Sequence, residues 1–296
     1  MSAEHSAEHP AVIYLKKVAS LSDSALDRHL PPATDRPHKL HEAMRYSMFA
    51  GGKRLRPGLA YAAWEVFGGS GDDIFYGTSA LEMLHTFSLI HDDLPCMDDD
   101  DFRRGRPTCH KAYNEATAVL AGDALCIHAF ELLAKTGKAE AIATLAHALG
   151  TYGMIGGQII DIESEGQKVD LDTVNYIHHH KTAALIEASM LIGSQIAGAS
   201  PAEQAILKEF GRLIGLAFQV VDDILDIEST TEQLGKDAGS DLEKGKATYP
   251  SILGLDESKK CARKLYEDSL LVLEHLNHRE TKALRDIAEY IIIRVH

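Results

Sequence analysis

Little in this chain interrupts a helix. Of its 296 residues only nine are proline, and three of those fall between Pro31 and Pro37, where LPPATDRP marks the clearest break between helices. No segment alternates apolar and polar residues strongly enough to read as a strand. Cysteine is scarce too. The four present (Cys96, Cys109, Cys126, Cys261) form no CxxC pair, so no disulfide framework or thiolate metal site is expected, and reduced thiols in a cytoplasm are the default reading. No apolar run approaches the ~20 residues of a membrane span, so no membrane insertion is expected. Basic residues are outnumbered, giving a net charge of −14. That argues against nucleic acid, which needs a basic footprint. It also means that a phosphate-bearing ligand would have to be held by metal and by local clusters of Lys and Arg. The N-terminus repeats SAEH and lacks both the apolar core of a signal peptide and the Arg-rich character of a transit peptide. It reads as a flexible end over residues 1–10, and the protein as cytoplasmic.

What the chain has in quantity is helical periodicity. Apolar residues make up 45% of the sequence, enough for a sizeable core. The pattern predicts helices over roughly 11–28, 38–50, 57–68, 74–94, 109–135, 138–164, 170–197, 202–229, 250–275 and 279–294. Several exceed the usual length in a soluble domain and the turns between them are short. The expectation is a single all-α domain over 11–296, one large bundle built round long central helices. Glycines recur within those helices (Gly153, Gly156, Gly157, Gly193, Gly198, Gly211, Gly215). Close backbone approach and cavity lining would each explain them.

Two acidic stretches stand out. Residues 82–107 read EMLHTFSLIHDDLPCMDDDDFRRGRP, with six carboxylates between Asp92 and Asp101 followed by Arg103, Arg104 and Arg106. Asp92 and Asp93 can lie side by side near a helix end, but on a straight helix Asp98 would sit roughly 240° round from Asp92. If the three share a site, the chain must turn, and Pro95 is where a turn would come. Carboxylates packed this closely repel unless a cation sits among them. Hard oxygen donors of this kind suit Mg²⁺, which commonly bridges carboxylates to phosphates. A solvated acidic loop is the plainer alternative. Residues 218–226 read FQVVDDILD, and Asp222 and Asp226 share a helix face at i, i+4 with Asp223 adjacent. Val220, Val221, Ile224 and Leu225 surround them, and acids are rarely placed among such neighbours unless paired. The two motifs lie 130 positions apart, each on an apolar helix, and could face each other across a bundle.

Other stretches carry weaker signals. GGKRLRP (51–57) sets Lys53, Arg54 and Arg56 just before Pro57, which favours the first turn of a helix, so either an anion site or an ordinary basic turn would explain it. Glu82 and His85 form an i, i+3 unit of the di-iron carboxylate type, but no second unit accompanies it. His178, His179 and His180 are consecutive, and consecutive helical residues point about 100° apart, so they do not chelate one ion. Gln158 and Asp161 share a helix face among apolar neighbours.

DDLPCMD with its trailing RRG, GGKRLRP, GGQIIDI (156–162), HHKT (179–182), DDILD and GKATYP (245–250) together resemble, in the expected order, the motifs of the trans-isoprenyl diphosphate synthases. The resemblance covers roughly residues 10–296 and is nearest to bacterial-type farnesyl diphosphate synthases. It implies an all-α bundle around a central cavity, a homodimer and condensation of isopentenyl diphosphate with an allylic diphosphate. It implies a cofactor of about three Mg²⁺, with Mn²⁺ as a substitute. Asp92, Asp98 and Asp222 would be the main ligands, and Asp93, Asp223 and Asp226 ligands or supports. Gly52, Lys53, Arg56, His85 and Arg104 would hold the isopentenyl diphosphate, with Arg294 a further contact at the C-terminus. Arg103, Lys181, Lys236 and Lys246 would serve the allylic diphosphate, and Thr182 and Gln219 would face the allylic carbocation. Phe87 and Ser88, the fifth and fourth residues before Asp92, would set the product length. An aromatic at the fifth position implies a fifteen-carbon product, farnesyl diphosphate. The DDLPCMD spelling is shared with plant-type geranylgeranyl diphosphate synthases, which make the twenty-carbon product. A class I terpene cyclase fits less well, because positions 226 and 230 are Asp and Thr where its second motif carries Ser and Glu. A non-catalytic partner subunit would be expected to have lost acidic motifs, and a helical scaffold explains none of the ordered set.

Overall fold

The computed structural model describes residues 8–228, 246 and 248–293. Most of the SAEH repeat, Lys236 and Arg294 lie outside the described residues. The chain opens with α1 (Pro10–His29), whose first position is a proline, and α2 (His38–Met48) follows after the Pro31–Pro37 break. Next come α3 (Leu55–Val66) and α4 (Asp73–Asp92). A loop then leads to α5 (Cys109–Ala112), α6 (Glu115–Ala134), α7 (Ala139–Leu149) and α8 (Met154–Ser164). From α9 (Leu171–Ile177) the chain continues through a π-helical turn (His178–Ala183) into α10 (Ala184–Ala197). The longest helix is α11 (Pro201–Glu228), and α12 (Tyr249–Leu253), α13 (Leu255–Leu273) and α14 (Lys282–Ile292) complete the described chain.

The fold is the all-α bundle that the periodicity predicts. α4 is buried nearly all round, from Ile74 and Leu81 to Met83, Leu84 and Ile90. A helix without a polar face belongs in the middle of a bundle. It packs on α6, α3 and α10, while α11 packs on α10 and α13. Two long helices, α4 and α11, therefore run through the interior, and each ends in an acidic motif. The glycines serve close approach at two crossings. A Cβ on Gly193 would lie 2.0 Å from the Ala60 carbonyl oxygen, and one on Gly157 would lie 2.2 Å from the Lys181 amide nitrogen.

Several details differ from the periodicity. The stretch read as one helix over 109–135 breaks at Asn114, whose side chain accepts from the Thr117 amide at 2.8 Å and starts α6 afresh. The stretch 138–164 breaks between Leu149 and Met154, around Gly150 and Gly153. A small antiparallel pair, β1 (Phe102–Arg103) and β2 (Arg106–Pro107), also forms where no strand was expected. Arg104 and Gly105 at its tip both take positive φ (54° and 73°), which suits a tight hairpin turn. Finally, α6 is long and apolar enough to cross a membrane by length and composition, contrary to the reading that no stretch comes near. In the fold it is a core helix. Ala118, Ala121, Leu125, Leu132 and Leu133 are buried in the cluster that also holds Leu84 and Ile90 of α4.

Candidate active site

The first acidic motif closes on itself as the spacing requires. α4 ends at Asp92, and the chain turns through Leu94–Met97 until the Asp98 amide donates to the Asp92 carbonyl at 2.8 Å. Asp98 thus returns to the helix end instead of continuing round it, and Pro95 lies in that turn. The next residue, Asp99, takes φ 52°. Asp92 is half-buried and its carboxyl is pushed up to about 6. Burial is the main cause, Asp98 and Asp93 add to it, and Lys181 and Arg103 oppose it. Asp93 turns inward: it is buried and accepts from Arg103 Nε at 2.7 Å. Lys246 stands across from Asp98, Nζ to Oδ1 3.6 Å. The sequence reading gives this lysine to a diphosphate, and its ammonium stands beside a carboxylate of the first motif.

The second motif shows a similar division of labour. Asp223 is buried and fully engaged. One oxygen accepts from Gln219 Nε2 at 3.0 Å, and the other accepts from the Tyr249 amide at 3.0 Å and lies 3.3 Å from His178 Nε2. Asp226 is buried as well, whereas Asp222 is half-buried. Asp223 at least is paired as the sequence suggested for acids among apolar neighbours in this stretch. The three consecutive histidines go to different partners. His178 stacks on the Tyr249 ring and meets Asp223, His180 stacks on Tyr176, and His179 lies edge-on to His180.

The π-helical turn adds a residue to one helical turn and carries Lys181 and Thr182. Such bulges frequently mark functional sites. Lys181 Nζ lies 2.5 Å from Asp161 of α8, and the Thr182 hydroxyl donates to Gln219 Oε1 at 2.8 Å. This links the turn to α8 on one side and to the second acidic motif on the other. Gly157 permits it: a side chain there would strike the Lys181 backbone.

GGKRLRP splits into two roles. Lys53 is exposed, and Arg56 is half-buried with an Nε that finds no hydrogen-bond partner among the described residues. An orphaned buried guanidinium nitrogen is unusual and fits an anionic ligand. Burial, reinforced by Arg104, lowers Arg56 to about 10, leaving it a cation at neutral pH. Arg104 comes from the hairpin tip, and its guanidinium donates to the Gly51 carbonyl. Gly52 takes φ 137°, a conformation that favours glycine. Burial, with Arg56, Arg104, Arg103 and Arg54 around it, holds His85 well below its usual value, so it stays neutral. Arg54 turns the other way. Its guanidinium is buried and bonds Glu82 at 2.6 Å, Asp23 at 2.8 Å and the Met48 carbonyl at 2.8 Å. Removing one partner of such a buried pair typically costs about 3–5 kcal/mol. Glu82 is thereby occupied, and the Glu82–His85 unit is no di-iron half-site.

Five of these groups meet at one cavity of about 430 Å³. Arg56, His85, Asp92, Lys181 and Thr182 line its polar end. Phe87, Met97, Met154, Ile155, Ile159 and Ile162 are among the residues of its apolar length. The Phe87 ring is braced edge-on by His91, whose Nε2 lies 3.0 Å from the Val119 carbonyl of α6. The isoleucine wall had no signal beyond helical spacing, and its three members are 38–50% exposed, so that side of the cavity is open. Elsewhere, Asp99, Asp101 and buried His110 bring one ligand atom each within 4.8 Å of one another on the loop after the first motif. A cavity with charged groups of both signs at one end and hydrocarbon walls beyond can hold an amphiphile with a phosphate head. Asp92 and Asp98 are brought together at the end of α4, hard carboxylate oxygens of this kind suit Mg²⁺, and the Lys246 ammonium stands beside Asp98.

Comparison with known proteins agrees with this geometry. Residues 37–288 match the family model described as polyprenyl synthetase. A geranylgeranyl pyrophosphate synthase of Capsicum annuum is 46% identical over 290 residues, covering 95% of this chain and 78% of that protein. An FPP/GFPP synthase from Zymomonas mobilis superposes with a TM-score of 0.84 at 37% identity, covering 95% of this chain and 99% of that one. A geranyltransferase from Helicobacter pylori, solved with magnesium and isoprenyl diphosphate, does so at 0.80 and 33% identity, covering 98% of each chain. The chain belongs to the polyprenyl synthetase family, the trans-isoprenyl diphosphate synthases. It is a prenyltransferase of a Mg²⁺-dependent family that uses an Asp-rich metal site. One expectation is corrected. The chain was read as cytoplasmic, whereas the Capsicum annuum relative and relatives from Arabidopsis thaliana are named chloroplastic.

Proposed function

We propose that this prenyltransferase condenses isopentenyl diphosphate with allylic diphosphates and releases geranylgeranyl diphosphate. The observation that carries this reading is the cavity whose mouth joins Asp92, Lys181, Arg56 and His85 to an apolar length walled by Phe87 and the isoleucines of α8. Bound Mg²⁺ would neutralise the allylic diphosphate as it leaves. Asp92, Asp98 and Asp222 hold the ions, while Asp93 and Asp223 orient their motifs through Arg103 and His178. Asp226, buried beside them, belongs to the same set. Lys181 and Lys246 compensate the departing charge, and Lys236, outside the described residues, belongs with them. Thr182 and Gln219, already bonded to each other, face the allylic cation with their oxygens. Lys53, Arg56, His85, Arg104 and the Gly52 backbone hold isopentenyl diphosphate at the opposite lip. If the pockets are so divided, Lys53→Ala and Arg56→Ala raise KM for isopentenyl diphosphate about tenfold or more, while Lys181→Ala acts on the allylic substrate. Varying one substrate at a time checks this, and the reverse pattern means the pockets are exchanged.

The naming of the plant relatives supports the twenty-carbon product, and the open isoleucine wall gives a longer tail room despite Phe87. The fifteen-carbon reading keeps the Phe87 ring on the cavity wall with Ser88 beside it, and the naming of the Zymomonas mobilis protein as an FPP/GFPP synthase. Chromatography of dephosphorylated products decides between them: geranylgeraniol supports the first and farnesol alone the second. In either case Phe87→Ala lengthens the product by one or more five-carbon units, because a stiff ring is removed from the tail path. A homodimer is part of the same proposal. Leu120 and Ile127 are exposed on the face of α6 opposite its core side, and burying them needs a second chain. Light scattering that gives a monomer mass would exclude it.

A further inference from the structure

Four guanidinium groups, Arg54, Arg56, Arg103 and Arg104, act on His85, and their pairing with carboxylates is uneven. Asp93 is taken by Arg103, at 2.7 Å from its Nε. Glu82, 2% exposed, lies one helical turn before His85 on α4 and is taken by Arg54 at 2.6 Å. Among the described residues Arg56 and Arg104 have no carboxylate partner, and Arg56 Nε has no hydrogen bond. Both nevertheless feel the field of Glu82, which opposes the effect of burial on each. Arg54 achieves its pairing at a visible conformational cost. It caps the N-terminus of α3 with φ 48°, left-handed for a residue with a side chain, and so sends its guanidinium inward while Lys53 and Arg56 on either side remain at the lip. Its fork bonds Asp23 of α1 as well as Glu82 of α4 and the Met48 carbonyl of α2.

We infer that Arg54 is a positioning residue that sets the charge of the isopentenyl diphosphate pocket: by neutralising buried Glu82 it keeps Arg56 and Arg104 available to the substrate's diphosphate. This deepens the division of pockets proposed above and rests on it. Without Arg54, the Glu82 carboxylate still acts on Arg56 and Arg104, and each pairing it made with them would subtract a positive charge from the site. A role in local packing alone makes a different demand, because packing is not repaired by deleting the carboxylate too.

The test is a charge-complement cycle of Arg54→Met, Glu82→Gln and the double variant, read by KM for each substrate, by kcat and by calorimetric titration with isopentenyl diphosphate. Arg54→Met is expected to weaken isopentenyl diphosphate at least tenfold, with kcat and the allylic KM within threefold of wild type. The double variant is expected to return to within threefold. A double variant as weak as Arg54→Met, or a loss shared equally by the two substrates, overturns the inference. If Arg54→Met does not fold, Arg54→Lys serves in its place. It keeps the charge without the fork and should stay within threefold, whereas a tenfold loss there overturns the charge account. Should wild type neither turn over nor bind isopentenyl diphosphate, the substrate reading falls. The same variants titrated with inorganic pyrophosphate then decide the charge account separately, with rescue by the double variant for it and no rescue against it.

Discussion

Asp92→Ala, Asp98→Ala and Asp222→Ala are each expected to lower kcat at least about a hundredfold while leaving the fold intact, since one preorganised charge-stabilising group is commonly worth that much. The expectation comes from the contrast within each motif. Asp93 and Asp223 are buried and bound by Arg103, Gln219, His178 and the Tyr249 amide. Their neighbours Asp92 and Asp222 are half-buried, and Asp92 lines the cavity mouth. Removing Asp92 relieves a carboxyl already pushed up to about 6 by burial and by Asp98 and Asp93, so stability should not suffer. Circular dichroism should show wild-type helicity and an unchanged or higher Tm. Near-normal turnover in a folded variant excludes that residue as a metal ligand. Asp223→Ala should behave differently, losing Tm as well as activity, because it strips the partner from buried groups.

Gly157→Ala is the second large effect. One methyl group placed there meets the Lys181 nitrogen at 2.2 Å, its Cα at 2.8 Å and the His180 carbonyl carbon at 2.9 Å. All three are backbone atoms, so no side chain can swing aside. Either α8 or the π-helical turn must move, at an overpacking cost of about 1–3 kcal/mol. The turn carries both Lys181 and Thr182, and a displacement of about 1 Å at a reacting centre can cost on the order of 100-fold. A fall in kcat/KM for the allylic substrate of that order, with a Tm lowered by several degrees, is the expected result. Unchanged kinetics would mean that the Gly157 crossing does not position Lys181.

Much of this was legible in the sequence, and the exceptions share a cause. Helical periodicity identified α4 and α11 because their apolar residues recur at the helical spacing. The need for a turn between Asp92 and Asp98 followed from the angle between them, and the Asp98 amide on the Asp92 carbonyl supplies it. Breaks at Asn114 and Gly150–Gly153 were missed because apolar spacing continues across them, and the cap at Asn114 was not weighed. Arg54 was grouped with Lys53 and Arg56 because a sequence shows charge but not direction, and its positive φ is what turns it inward. His178 had no local signal: its partner Asp223 is 45 positions away, on another helix. The approach of Lys246 to Asp98, 148 positions apart, had no local signal either. The open isoleucine wall of α8 is likewise a matter of what packs against the helix, which spacing alone does not report.

The most direct measurement is incubation of the purified protein with Mg²⁺, labelled isopentenyl diphosphate and dimethylallyl diphosphate, followed by phosphatase treatment and chromatography. A prenyl alcohol of twenty carbons, formed with Mg²⁺ and abolished by chelation, is the predicted result. No elongated product from any allylic diphosphate, or a cyclic hydrocarbon in its place, would contradict the account.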